Sequence, residues 1–121
     1  MGKRILVVDD EPDSRQMIRT YLEVHGFEVA EAEDGFDAVA KALEISPDLV
    51  IMDMAMPLVD GVNSARTMRQ HDKLQNVPII AVTGFGSFYE PRAKEAGCND
   101  VVCKPVDFGR LQPVMARHLG N

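Results

Sequence analysis

Short apolar runs rich in β-branched residues alternate along this chain with segments whose apolar residues recur every three or four positions, and the alternation repeats five times. The runs are Ile5–Val8, Phe27–Ala32, Leu49–Met52, Val77–Val82 and Val101–Cys103. A continuous apolar run such as Ile5–Val8 reads as a strand buried on both faces. The intervening segments predict helices over Pro12–Val24, with Met17, Ile18, Tyr21 and Leu22 on one face, and over Gly35–Ile45, with Ala38, Val39, Ala42 and Leu43 on one face. A third follows the Pro57–Gly61 loop with Val62, Ala65 and Met68 inward, a weaker fourth covers Glu90–Ala96, and a last runs from Asp107 to Leu119. Pro12 suits a first helical turn, Gly26 an exit, and Ser46-Pro47 a stop. A helix between successive strands returns the chain parallel to itself. The expectation is an α/β fold: a five-stranded parallel sheet, doubly wound, with helices on both faces, formed by residues 1–121 as one domain.

Composition narrows the function. Hydrophobic residues make up 45% of the chain and charged residues 26%, which supplies a core and excludes the signature of disorder. The formal net charge of -6 argues against direct nucleic-acid binding, which needs clustered Lys and Arg. Cys98 and Cys103 follow no metal-ligand spacing and read as small buried hydrophobes. The run after Lys3 and Arg4 is too short for a signal peptide or a membrane span, so no membrane insertion and a cytoplasmic location are expected.

In doubly wound sheets ligands bind outside the carboxyl ends of the strands, at a topological switch point. Here those ends carry Asp9, Asp10 and Glu11, then Asp53, Thr83 and Lys104. An acidic pair at a strand end reads equally well as a solvated loop or a helix N-terminus. Acids, hydroxyl and amine on four separate strand ends are another matter, because core-building does not require them. Carboxylates brought together repel unless a cation neutralises them, and Mg²⁺, or Mn²⁺, takes such oxygen ligands together with a phosphate. A carboxylate can attack phosphorus, and Asp53 is the candidate. Lys104 and the Thr83 hydroxyl would supply a cation and a hydrogen-bond donor to the transferring group.

Ile5-Leu6-Val7-Val8-Asp9-Asp10-Glu11, Asp53-Met54-Ala55-Met56-Pro57 with Asp60-Gly61, Val82-Thr83-Gly84 and Lys104-Pro105 together make the chain resemble, over essentially its whole length, the receiver domain of bacterial two-component response regulators. The resemblance implies a flavodoxin-like fold and a phosphoacceptor switch rather than a turnover enzyme. It implies Asp53 as phosphoacceptor, Asp10 and Asp53 as direct metal ligands with the Ala55 backbone carbonyl, and Asp9 acting through water. Thr83 and Lys104 would contact the phosphoryl group, and Gly84 would leave room for it. Donors would be a histidine kinase or a phosphotransfer protein, the downstream target an unknown protein, and the Lys104-Pro105 bond cis.

Several positions depart from that family's pattern. Val101 stands where an aromatic residue often turns inward, and a β-branched side chain has no ring to swing. Gly84, Gly86, Ser87 and Pro91 predict a late start to the fourth helix, and Pro113 falls inside the last one. These departures place the signal in mobility of Phe85–Glu90, with Phe85, Phe88 or Tyr89 substituting for the missing ring. Ala55 and Phe85 flank the acceptor and cannot hold a water through their side chains, so slow self-dephosphorylation is expected. His25, His71 and His118 are expected at helix ends, on terminal carbonyls or water. A flavin-binding flavodoxin-like protein would need a Ser, Thr and Gly-rich phosphate loop after the first strand, where this chain has acids. An Asp-nucleophile phosphatase of the haloacid-dehalogenase kind would need Asp-x-Asp there. Within the receiver reading a stand-alone regulator is expected over the receiver part of a longer transcription regulator, because Gly120-Asn121 closely follows the last helix.

Overall fold

The computed structural model describes residues 2–120, and they form a five-stranded parallel sheet in the order β2-β1-β3-β4-β5. The strands are β1 Arg4–Val8, β2 Glu28–Ala32, β3 Leu49–Asp53, β4 Ile79–Thr83 and β5 Asp100–Cys103. The helices are α1 Pro12–Val24, α2 Gly35–Ile45, α3 Gly61–Arg69, α4 Gly86–Ala96 and α5 Phe108–Leu119, with a short 3-10 turn over Asp72–Leu74. From β1 the chain goes outward to β2, then crosses back to β3 on the other side of β1, so the switch point lies between β1 and β3.

Strand alternation explains why the runs within β1, β3 and β4 are apolar throughout. Ile5, Val7, Leu49, Ile51, Ile80 and Val82 face one core with Ile18 and Leu22 of α1 and Leu111 and Met115 of α5. Leu6, Val8, Val50, Met52, Ile79 and Ala81 face the other core, closed by small and medium side chains of α2, α3 and α4. Each fully buried aliphatic side chain contributes roughly 1.5–3 kcal/mol, so register slip would be costly on both faces at once. The pairing places Val8 beside Met52, Asp53 beside Val82, and Thr83 beside Cys103, and so aligns the chemistry-bearing strand ends.

The helix starts follow local chemistry. Glu11, Asp34, Asp60 and Asp107 cap α1, α2, α3 and α5 with side-chain oxygens that accept from backbone N–H groups of the first turn. The fourth helix corrects the sequence expectation, since it begins at Gly86 and not near Glu90. Phe85 takes the N-cap position without a side-chain cap, and its carbonyl accepts from the N–H groups of Phe88 (3.1 Å) and Tyr89 (2.9 Å). Gly86 and Ser87 are tolerated because first-turn N–H groups need no partner within the helix. Pro91 lies inside α4 and Pro113 inside α5, each removing one helical bond without ending the helix. Val77 stays outside β4, because Pro78 has no N–H to offer a ladder.

Candidate functional site

Asp53 closes β3 and Asp9 directly follows β1, and both are almost completely buried, at 4% and 2% exposure. Asp10 is exposed, one residue further along the same turn. Each of the three offers a carboxylate oxygen within 4.8 Å of the others'. The Lys104 Nζ donates to Asp53 Oδ2 at 2.9 Å and lies 4.0 Å from Asp9 Oδ2. The Ala55 N–H donates to Asp53 Oδ1 at 3.2 Å. Thr83 ends β4 fully buried, and its Oγ1 accepts the Phe85 N–H at 2.9 Å. The Lys104 N–H donates to the Thr83 carbonyl at 2.8 Å, which ties the last two strand ends together, and the Lys104-Pro105 bond is cis as expected.

Burial pushes the Asp53 carboxyl above its ordinary value; the hydrogen bond and charge of Lys104 pull it back, and Asp9 pushes it up again. Burial pulls Lys104 down, but its bond to Asp53 and the charges of Asp53, Asp9 and Asp10 outweigh that, so its ammonium is held above the usual lysine range. One ammonium faces three carboxylates across this cluster. The remaining negative charge and the all-oxygen donor set fit a hard divalent cation.

Close approach matters at one glycine. A side chain on Gly61 would put its Cβ 2.4 Å from the Asp53 carbonyl oxygen, so only glycine lets the start of α3 pack against the residue after which the site is built. The Gly61 N–H donates to the Met54 carbonyl at 3.0 Å from the same position. Gly84 is exposed, and a Cβ there would meet only the Lys104 Cβ, at 4.0 Å. Space beside the Lys104 stem is thus open.

Most residues singled out from the sequence meet here, and the exceptions are informative. Glu11 stands beside the cluster but its carboxylate caps α1, accepting from the Asp13 N–H at 3.4 Å, while its own N–H donates to Asp9 Oδ1 at 2.9 Å. Val101 packs on the α2–α4 side of the core together with Tyr89 of α4, and Phe85 stays 65% exposed. Cys98 is buried as expected, with its thiol pushed up to about 11 by burial, whereas Cys103 is exposed because its side chain lies at the open end of an edge strand. His25 Nδ1 meets the Tyr21 carbonyl at 2.9 Å, as a helix-end histidine should. His118 instead pairs with Asp100 at 2.5 Å, joining α5 to the start of β5.

Sequence reasoning passed over Arg15 and Glu31. Arg15 Nη1 donates to the Asp9 carbonyl at 2.8 Å, and its Nε to Glu31 Oε1 at 2.7 Å. No motif marks either residue. Each occupies a position that reads as an ordinary solvated helix or strand face, and only the fold brings them to the turn after β1.

Fold and site together define a doubly wound α/β protein with an acidic, lysine-bearing centre at its strand ends. The family model for the response regulator receiver domain matches residues 5–116, and the chain belongs to that family. It is 30% identical over its full length to the polar-differentiation response regulator DivK of Brucella anthropi, covering 99% of that protein. Among solved structures it resembles the receiver domain of the sensor histidine kinase PA1611 from Pseudomonas aeruginosa, at 32% identity and a TM-score of 0.93, with both chains fully covered. That structure has a magnesium ion coordinated in its active-site cleft. The chemotaxis protein CheY4 of Vibrio cholerae is similar at 29% identity and a TM-score of 0.92, over 98% of this chain and all of that one. No described helix is long and apolar enough to cross a membrane.

Proposed function

We propose that this receiver domain accepts a phosphoryl group on Asp53 from a histidine kinase or a phosphotransfer protein and thereby changes its binding to a downstream protein. The observation that carries the reading is the buried Asp53 carboxylate held by Lys104 at 2.9 Å amid the Asp9 and Asp10 oxygens. An Asp53 oxygen attacks phosphorus, a new P–O bond forms, and the bond from phosphorus to the donor breaks with its electron pair leaving on the donor. Lys104, freed from Asp53 Oδ2, turns its ammonium to the phosphoryl oxygens, and the Thr83 hydroxyl donates to them.

Asp10 and Asp53, with the Ala55 carbonyl and with Asp9 through water, are the groups that would hold Mg²⁺ or Mn²⁺. A divalent ion there supplies charge neutralisation for the transferring oxygens. Ala55 and Phe85 offer no side-chain partner to an attacking water, so the acyl phosphate decays slowly. The protein is a switch rather than a turnover enzyme, acts in the cytoplasm, and requires no direct nucleic-acid contact.

Transmission runs through Thr83. Its Oγ1 holds the N–H of Phe85, the residue whose carbonyl opens α4, so a hydroxyl drawn to the phosphoryl group releases the start of that helix. Val101 contributes packing only. Phosphorylation by acetyl phosphate with Mg²⁺ tests the assignment: label is expected on the wild type and none on Asp53→Asn. Label on that variant would overturn the reading.

A further inference from the structure

Arg15 is the one side chain that grips the backbone of the turn carrying Asp9 and Asp10 from outside that turn, among the described hydrogen bonds. The turn has few other anchors. The Asp9 N–H donates to the Ala32 carbonyl at 3.2 Å, the Glu11 N–H returns to Asp9 Oδ1 at 2.9 Å, and Pro12 has no N–H to give. The Asp9 carbonyl sits one residue past the end of β1, and Arg15 Nη1 reaches back from α1 to hold it at 2.8 Å.

The guanidinium is itself fixed. Its Nε meets Glu31 Oε1 on β2 at 2.7 Å, while Arg19 Nη1 occupies Glu31 Oε2. The Lys41 Nζ donates to the Glu31 backbone carbonyl at 2.8 Å. Arg15 is the more sequestered arginine of the pair, at 16% side-chain exposure against 39% for Arg19. A pairing with Glu31 alone would need only a point charge. The second bond, to a backbone oxygen, needs the planar fork.

We propose that Arg15 is a positioning residue for the divalent-metal site, with Glu31 as its anchor: by holding the Asp9 carbonyl it sets the orientation of the Asp9-Asp10 peptide. The carboxylates are thereby aimed together before an ion arrives, against their mutual repulsion. Supporting residues of this kind typically govern metal affinity by about 10–100-fold. This inference rests on the reading of Asp9, Asp10 and Asp53 as a metal site.

Charge and positioning act on metal affinity in opposite directions. Removing a positive charge near a cation site should tighten cation binding by simple Coulomb attraction. Loss of positioning should weaken it. Mg²⁺ alone is titrated calorimetrically into wild type, Arg15→Met, Arg15→Lys and Glu31→Gln, with Tm recorded for each. Arg15→Met and Arg15→Lys are expected to bind Mg²⁺ about tenfold more weakly, with Glu31→Gln between them and wild type.

Arg69→Met is the control for general destabilisation. Arg69 makes a similar clamp on the carbonyls of Gly97 (2.8 Å) and Leu74 (2.6 Å), but from the far end of α3. It should lower Tm and leave Mg²⁺ affinity unchanged. Unchanged or tighter binding in both Arg15 variants, or weakening in Arg69→Met equal to theirs, overturns the proposal. If Arg15→Met does not fold, Arg15→Lys decides alone. A wild type that binds no Mg²⁺ overturns the reading of the site as well, so the two failures are distinguishable.

Discussion

The edge formed by the ends of β1, β3, β4 and β5 and the face formed by α4, β5 and α5 share residues yet are built on opposite terms. At the edge, Asp9, Asp53 and Thr83 are buried, and each accepts a backbone or lysine hydrogen bond. Their positions follow from strands packed on both sides. On the helical face, α4 starts without a side-chain cap, carries Pro91 inside it, and leaves Phe85 and Phe88 65% and 50% exposed. Burial and hydrogen bonding thus fix the strand ends, while the helix beside them is held by fewer local bonds. Local stability of this kind varies across one domain, and moving parts are drawn from its low end.

The two regions should respond unequally to truncation. Ile51→Ala, in the fully packed centre of β3, is expected to cost about 2–5 kcal/mol, read from urea unfolding. Phe88→Ala on α4 is expected to cost less than about 1 kcal/mol, since it loses a half-exposed ring and its contact with Arg92. Equal losses would mean that α4 is as firmly held as the sheet.

A smaller effect sharpens the contrast from the other side. Pro91→Ala restores a donor to the Ser87 carbonyl and should stabilise the protein by about 1 kcal/mol, the helix gain being offset in part by a freer unfolded chain. Amide exchange of Phe88 and Tyr89 should slow, while exchange in β1 and β3 should change only with global stability. If exchange in α4 is unmoved, the proline is not what loosens it.

The smallest expected effect concerns the turn after β1. Hydrogen bonds from Arg19 and Arg15 hold the Glu31 carboxyl below its ordinary value of 4.5, against the opposing effect of burial. A carboxyl lowered on folding stabilises the native state above its unfolded value, and that contribution is lost as the pH falls through the folded one. Glu31→Gln should therefore cost about 1 kcal/mol or less at pH 7, and the Tm gap should close as the pH drops through and below the range just under 4.5. A gap independent of pH would mean that the pairing is geometric rather than ionic.

How much was legible in the sequence follows the same division. The β1 and β3 ends could be placed because Ile5–Val8 and Leu49–Met52 are apolar on both faces, so their polar successors had to fall at the sheet edge. The boundaries of α1 and α2 matched the expectation because Pro12, Ser46 and periodic apolar positions mark them. The start of α4 differs from the expectation for a physical reason. Gly86, Ser87 and Pro91 have poor intrinsic propensity, and what overrides it is tertiary: Ala93 and Ala96 pack into the core and Thr83 holds the Phe85 N–H. Arg15 and Glu31 were invisible because their meeting depends on β2 lying beside β1. Cys103 is exposed against expectation because β5 is an edge strand, which a local apolar run does not reveal.

That last residue gives the molecule a ready chemical handle. The thiol of Cys98 is buried and raised to about 11, hence poorly nucleophilic at neutral pH, while Cys103 is open to solvent and adjoins Lys104. A Cβ on Gly86 would lie 3.1 Å from the Cys103 sulfur, so that sulfur abuts the first residue of α4. A maleimide dye added to the unmodified protein should therefore attach at one place, and its emission would report on the junction between the end of β5 and the start of α4.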